Sequence, residues 1–364
     1  MKPKLVVLSA FLTPFRSGAE AMVEEVFPRL SDRFDVTIIT CRMRRGLGLG
    51  LGKEVKVLRV GFGFSFDKYL FPLLAPLKAW TLQPAIIHAV LESYAGAALI
   101  LCKVLMPRTK RVLTLQSTNT SFLLGPMHRS ATVVTAISRA LIDRAKRFGQ
   151  EDVTLIPNGI DFKSIREACH KYPKIPGRIL FVGRLERMKG VDILLSAFAR
   201  VVRGLEEAIS DKRPVRPGHP GGTDSRPGGQ AASGVLKLHI VGDGSLRSSL
   251  EAQAHSLQIL DSVTFTGHLP REALNREYAE AEIFSGLSRS EALGNVFLEA
   301  QAAGCAVVAT RVGGIMDIVE NGKTGLLVLP DDVAGASGAL SRLLSDPELR
   351  SRLALKGAEG KEAY

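Results

Sequence analysis

Apolar and polar positions follow one pattern along the chain, and the pattern runs twice. Leu5 to Leu8, Val36 to Thr40, Val55 to Val60, Ile86 to Ala89, Arg111 to Leu115 and Thr132 to Ala136 are short β-rich runs that predict strands. Helical periods fall between most of them, as in Ala19 to Leu30. Strands alternating with helices make parallel βαβ units. The pattern pauses at the turn-rich Ile156-Pro157-Asn158-Gly159-Ile160-Asp161 and then restarts. Ile179 to Val182, Leu236 to Val241, Val263 to Thr266, Ala281 to Ser285 and Ala306 to Thr310 predict strands, with helices over Val191 to Arg203, Leu246 to Ser256 and Val296 to Ala303. The expected fold is α/β, two tandem Rossmann-like domains with a cleft between them. Their bounds are 1–160 and 178–364, joined by a linker over 161–177. Residues 204–234, rich in Gly, Pro, Ser and charge, cannot supply a core and predict a flexible inserted surface loop without chemistry.

The 364 residues suffice for two cores at about 150 residues per domain. Hydrophobic residues at 46% and charged residues at 23% exclude a disordered or fibrous chain. No run reaches the length of a membrane span, since even Ser93 to Cys102 is closed by Lys103. Met1 to Leu12 predicts a first buried strand and not a signal, because the run is short and lacks a small-residue cleavage site. Cys41, Cys102, Cys169 and Cys305 form no C-x-x-C pair, so neither a zinc site nor a disulfide framework is indicated, and a reducing, cytoplasmic setting is expected.

The net charge of +12 changes this picture because it is uneven. Residues 1–150 hold 22 Lys and Arg against 9 Asp and Glu, whereas the remainder is nearly balanced. An anionic partner for the first half is one reading, and a merely solvated basic surface is the other. Arg42, Arg44 and Arg45 precede a Gly-Leu tract (Gly46 to Gly52), and Phe62 to Trp80 interleaves Phe, Leu and Tyr with Lys68 and Lys78. That composition suits an anionic membrane surface, with the protein peripheral on the inner face. No zinc finger or RNP-like sequence supports a nucleic-acid partner.

The segment from Ser288 to Gly304 carries the most chemistry. Glu291 and Glu299 are eight residues apart and would not share one helical stripe. Their spacing makes sense if Gly294 opens the helix, with Glu291 in the loop before it and Glu299 in the second turn. The amides of Gly294, Asn295 and Val296 would then stand free at a positive helix end, ready for a phosphate group. Carboxylates accept pairs of sugar hydroxyls, so Glu299 suits a ribose and Glu291 a hexose. An amphipathic helix with both glutamates solvated fits the spacing equally well. A second constellation, Gly183-Arg184-Leu185-Glu186-Arg187-Met188-Lys189-Gly190-Val191-Asp192, places Arg184 and Lys189 in a strand-to-helix loop. Two cations there can neutralise a diphosphate leaving group.

Together these segments resemble the retaining glycosyltransferases of family 4, which have the GT-B fold. The resemblance covers nearly the whole chain. It includes Ser17-Gly18-Ala19-Glu20, Ile156 to Asp161, Val241-Gly242-Asp243-Gly244, the E-x7-E element, Val312-Gly313-Gly314 and Asn321 to Leu327. It implies transfer of a hexosyl group from a nucleotide-diphosphate-sugar donor to a glycan or lipid-linked acceptor, with retention of configuration. It also implies that no metal and no further cofactor takes part, and that the setting is cell-envelope polysaccharide synthesis. By that likeness Arg184 and Lys189 hold the diphosphate, Glu299 the ribose hydroxyls, and Glu291 with the amides of Gly294, Asn295 and Val296 the donor sugar and phosphate. Gly18 would let the amino-terminal loop approach the donor. Independently, the chain has no Asp-x-Asp triplet, which disfavours the metal-dependent GT-A alternative.

Two departures qualify the likeness. Where the family commonly has a histidine, this chain has Leu113-Thr114-Leu115-Gln116-Ser117, and Gln116 can bond a sugar hydroxyl but cannot take a proton as imidazole does. The chain also ends at Tyr364, short of the helix that closes family members, so a fragment or a weakened closure is expected. Rivals are a nucleotide-sugar epimerase or hydrolase of the same fold and a catalytically silent nucleotide-sugar-binding protein. His88, ending an apolar strand, reads as structural. Gly322-Lys323-Thr324 lacks the first glycine of a P-loop, Val241 to Gly244 reads as a tight turn, and Asp331-Asp332 as a solvated or helix-capping pair.

Overall fold

The computed structural model describes residues 2–13, 18–43, 55–210 and 236–363. Ser17, Arg44, Arg45, the Gly46 to Gly52 tract and most of the expected inserted loop lie outside the described residues. The chain forms two compact units, Met1–Gly159 with Glu291–Asn295, and Ile160–Ser290 with Val296–Tyr364.

The first unit runs β1 (Lys4–Leu8), α1 (Gly18–Val26), β2 (Asp35–Cys41), β3 (Lys56–Val60), α2 (Asp67–Leu82), β4 (Ile86–Val90), α3 (Tyr94–Leu105), β5 (Lys110–Leu115), α4 (Leu124–Ser130), β6 (Val133–Ala136), α5 (Arg139–Arg147) and β7 (Thr154–Leu155). The strands make one parallel sheet in the order β3-β2-β1-β4-β5-β6-β7. Central strands are apolar on both faces, as a sheet covered by helices on either side requires. Val6, Val7, Leu8, Ile38 and Ile39 are accordingly buried. The helical period from Ala19 to Leu30 is divided: α1 stops at Val26, and Phe27–Leu30 tightens into a 3-10 turn with Pro28 in its first turn. Proline has no amide hydrogen to continue the α-helical ladder.

The second unit runs α6 (Phe162–Lys171), β8 (Ile175–Val182), α7 (Val191–Ser210), β9 (Lys237–Val241), α8 (Arg247–Ser256), β10 (Val263–Gly267), α9 (Arg271–Glu280), β11 (Ala281–Gly286), α10 (Asn295–Ala302), β12 (Ala306–Thr310), α11 (Ile315–Ile318), β13 (Leu326–Val328), α12 (Val333–Ser345) and α13 (Pro347–Ala358). Its parallel sheet has the order β10-β9-β8-β11-β12-β13. Phe181, Leu194, Phe198, Ile240, Ile283 and Val308 pack in one core between this sheet and its helices.

Residues 161–177, expected as a linker, are structured. Asp161 caps α6, its Oδ1 accepting the Ser164 amide at 3.1 Å, and Ile165 is fully buried. The remainder enters β8. Helix α7 extends to Ser210, seven residues past the expected end.

In both sheets the strand order reverses once, between β1 and β4 and between β8 and β11. Successive connections there leave in opposite directions, and a crevice opens at the carboxyl ends of the two strands.

Candidate functional site

The loops that follow β8 and β11 flank the reversal point of the second sheet. These strands are neighbours, with Ile283 beside Ile179 and Phe284 beside Leu180. Arg184 and Lys189 sit in the loop after β8, and Glu291 and Glu299 in the segment after β11. All four therefore leave the same edge of one sheet on adjacent strands.

The loop after β8 is shaped by close backbone approach. Gly183 N–H donates to Val241 O at 3.0 Å and Leu185 N–H to Asp243 O at 2.9 Å, so the turn Val241 to Gly244 serves as its floor. Residues Arg187–Lys189 form a single 3-10 turn that ends at Gly190. Gly190 has φ +65°, and a side-chain carbon there would lie 2.0 Å from Leu287 O. Only glycine permits the two loops to pass this closely.

Arg289 ties the loops together. Its amide donates to Met188 O at 2.8 Å, and its guanidinium forks onto Asp192, Nη1 to Oδ1 at 2.9 Å and Nη2 to Oδ2 at 2.7 Å. Nε donates to Asp331 Oδ1 at 2.7 Å, and Nη1 also reaches Arg187 O. Burial alone would raise the Asp192 carboxyl, but the Arg289 hydrogen bonds and charge win and hold it below the usual range. Asp332 caps α12 through the Gly335 amide at 2.8 Å. The Asp331-Asp332 pair is thus divided between an ion pair and a helix cap.

Arg184 is largely exposed, with Nη1 2.9 Å from Glu186 Oε1, while Lys189 is half-buried. Gly294, at φ +92°, precedes the first residue of α10, as the spacing required. Gly294, Asn295, Val296 and Glu291 are all half-buried. Glu299 lies in the second turn of α10 but is not solvated. It is 8% exposed, with Oε1 accepting from Arg271 Nη1 at 2.7 Å and Oε2 from the Tyr278 hydroxyl at 2.8 Å. Tyr278 is fully enclosed, and burial followed by the Glu299 charge pushes its phenol well above the usual range, so it remains a donor. Each carboxylate oxygen keeps a further lone pair for a ligand hydroxyl.

In the first unit, Gly18 is the first residue of α1, not a loop residue. Open space surrounds the position of its absent side chain, so local packing does not demand glycine. Gln116, one residue past β5, is buried, and its Nε2 has no hydrogen-bond partner among the described residues. His88 lies inside β4, Nε2 2.7 Å from Thr114 Oγ1 and its ring edge-on to Phe27; burial pushes its imidazole down to about 4. Gly322-Lys323-Thr324 forms an exposed turn leading into β13 and not a strand-to-helix phosphate loop. Arg289, Asp192, Arg271 and Tyr278 escaped the sequence reading. Arg271 and Tyr278, seven apart on one face of α9, offered the only sequence signal.

Two parallel α/β units, each with its loops gathered at a single reversal point, define a protein of two Rossmann-like domains. The chain belongs to the family 4 glycosyltransferases. Residues 16–164 match the model described as Glycosyltransferase Family 4, and residues 230–359 that described as Glycosyl transferases group 1. A glycogen synthase of Mycobacterium tuberculosis is 33% identical over 206 residues, 57% of this chain and 43% of that protein. The chain thus spans less than half the length of the curated relatives it matches. A sucrose-phosphate synthase from Thermosynechococcus elongatus superposes with a TM-score of 0.78 at 21% identity, over 100% of this chain and 94% of that one. Anabaena HepE in complex with UDP-glucose superposes at 0.73 and 18%, over 99% and 95%. These likenesses bear out the GT-B fold.

Tyr278→Phe leaves a buried Glu299 oxygen short of a donor. Urea denaturation is expected to show a loss of about 1–3 kcal/mol, and an unmoved midpoint at equal slope would contradict the hydrogen bond.

Proposed function

We propose that the protein transfers a hexosyl group from a nucleotide-diphosphate-sugar to a glycan or lipid-linked acceptor, with retention of configuration and without a metal ion. The observation that carries this reading is the joining of two loops by Arg289 at one reversal point, one loop bearing Arg184 and Lys189 and the other leading into α10. UDP-glucose in the complexed HepE structure supports a uridine donor.

Arg184 and Lys189 would hold the diphosphate and neutralise the charge that develops as the bond to the sugar breaks. The amides of Gly294, Asn295 and Val296 would add the positive end of α10. Glu299, oriented by Tyr278 and Arg271, would accept the ribose hydroxyls, and Glu291 those of the donor sugar. With retention, the departing phosphate oxygen can take the acceptor proton, so Gln116 need not be a base. Gly18 would allow close approach at the acceptor side.

We further propose an anionic membrane surface as a partner, with the protein peripheral to it and serving envelope polysaccharide synthesis. What supports this is α2, which is apolar on two faces. Phe71, Ala75 and Ala79 are buried, while Tyr69 at 64%, Leu73 at 58%, Leu77 at 48% and Trp80 at 49% exposure form an outward stripe. Lys68 and Lys78 flank it. The preceding turn carries Phe62, Phe64 and Phe66 outward and is pinned by Asp67, whose Oδ2 accepts the Gly63 amide at 2.7 Å and the Phe64 amide at 3.2 Å. Aromatics among lysines suit the headgroup layer. Among the described residues, no helix is long and apolar enough to cross a membrane.

With UDP-, GDP- and ADP-sugars and glycan or lipid-linked acceptors, one donor should release nucleotide in an acceptor-dependent manner. Arg184→Ala and Lys189→Ala should each depress kcat about 100-fold, in line with removal of one electrostatic donor, and Glu299→Ala should mainly raise the donor KM. Unchanged kinetics in all three would remove the assignment, and acceptor-independent release would favour a hydrolase or epimerase.

Flotation with phosphatidylcholine vesicles containing phosphatidylglycerol should carry the protein upward and weaken with salt, and Leu73→Glu with Trp80→Glu should abolish it. No flotation, or flotation indifferent to the double substitution, would reject the membrane partner.

A further inference from the structure

Lys174 lies one residue before β8, inside the stretch expected as a linker, and it is half-buried. The three N–H groups of its ammonium converge on one place. Nζ donates to Ala303 O at 2.8 Å and to Tyr278 O at 3.2 Å, and its third partner is Cys305 Sγ at 3.5 Å. The two carbonyls belong to different helices. Tyr278 O stands in the last turn of α9, and Ala303 follows the final residue of α10. Carbonyls at such ends find no amide further along the helix, and they carry the negative pole of its dipole. One ammonium therefore closes two helix ends at once.

These are the two helices that share the Glu299 carboxylate, which α10 carries and which accepts from Tyr278 and Arg271 on α9. Tyr278 is held from both sides, its hydroxyl on Glu299 Oε2 and its carbonyl under the ammonium. Glu299 is held through its backbone as well. Its carbonyl accepts the Ala303 amide at 2.9 Å, and the Ala303 carbonyl accepts from Lys174. Lys174, Tyr278, Glu299 and Ala303 thus form a closed ring. Cys305 reinforces it, with Sγ 3.3 Å from both Tyr278 O and Ala281 O. Burial pushes that thiol up, so it keeps its proton and remains a donor.

Hydrogen bonds weaken steeply with misalignment. The aim of a carboxylate shared between two helices therefore depends on what fixes those helices against each other. We propose that Lys174 is a positioning residue for the donor ribose. It holds Tyr278 and Glu299 so that the carboxylate meets the ribose hydroxyls, although the ammonium lies at the amino edge of the sheet, opposite the crevice. This rests on the reading of Glu299 as the ribose acceptor, and adds to it a residue that sets how strongly ribose is preferred.

Calorimetric titration of the full chain with UDP, GDP and ADP, each beside its 2′,3′-dideoxy form, isolates the ribose contribution. The wild-type protein should bind at least one nucleotide about tenfold tighter than its dideoxy form, the equivalent of one charge-assisted hydrogen bond. Lys174→Met should remove most of that preference while the dideoxy form binds as before, whereas a merely structural cap would weaken both forms alike. If Lys174→Met does not fold by circular dichroism, Lys174→Gln, which keeps an amide donor, carries the same comparison. In a Tyr278→Phe background the lysine substitution should change the preference no further, because it acts through that hydroxyl. A preference untouched by the substitution, or equal losses for both forms, overturns the proposal alone. A wild-type protein that binds nucleotide without preferring ribose would remove the Glu299 assignment, and one that binds no nucleotide would remove the donor reading; the inference falls with either.

Discussion

Arg289 is the residue on which the second unit's reversal point depends. Strands β8 and β11 are adjacent, yet their following connections diverge, so the crevice between them has no covalent reason to keep a fixed width. The guanidinium closes that gap. It forks onto Asp192 at the start of α7, reaches Asp331 before α12 and touches the backbone of the loop after β8. An arginine fork is planar and directional, which a single ammonium group is not. The loop that bears Arg184 and Lys189 is therefore tied to the first residues after β11 by one side chain that itself carries none of the proposed chemistry.

The same economy shapes Glu299. A carboxylate at 8% exposure is tolerable only when paired. Arg271 supplies charge and Tyr278 a neutral donor, and both come from α9, on the far side of β11 in sequence. Glu92 in the first unit repeats the theme with Arg144 and His128. Each sheet thus places a fixed, buried acid on the segment that leaves the fourth strand of its order; one helix, α9, orients Glu299, and two, α4 and α5, orient Glu92.

Much of this was legible in the sequence. Strand runs such as Leu5 to Leu8 and Ala306 to Thr310 were readable because buried parallel strands are continuously apolar, and Gly294 announced the start of α10 because the two glutamates could not share a helical face. Arg289 was not legible: its partners Asp192 and Asp331 lie 97 and 42 residues away, and no local period links them. Solvation of both glutamates was an equal reading of the spacing, and the burial of Glu299 against Arg271 and Tyr278 decides against it for that residue. Residues 161–177 do not show their helix in the sequence because α6 is short and polar, its single fully buried side chain being Ile165. The outward stripe of α2 was visible as composition, but that its apolar residues occupy both faces required the packing of Phe71 and Ala75.

The central claim is that the loops after β8 and β11 act as one binding element. Hydrogen exchange of the wild-type protein and of Arg289→Met, with and without UDP, measures this directly. The account predicts that UDP slows amide exchange at 183–190 and at 288–296 together in the wild type, and that the substitution loses both effects together. Slowing confined to one loop, or UDP binding that leaves both loops unchanged, would contradict it.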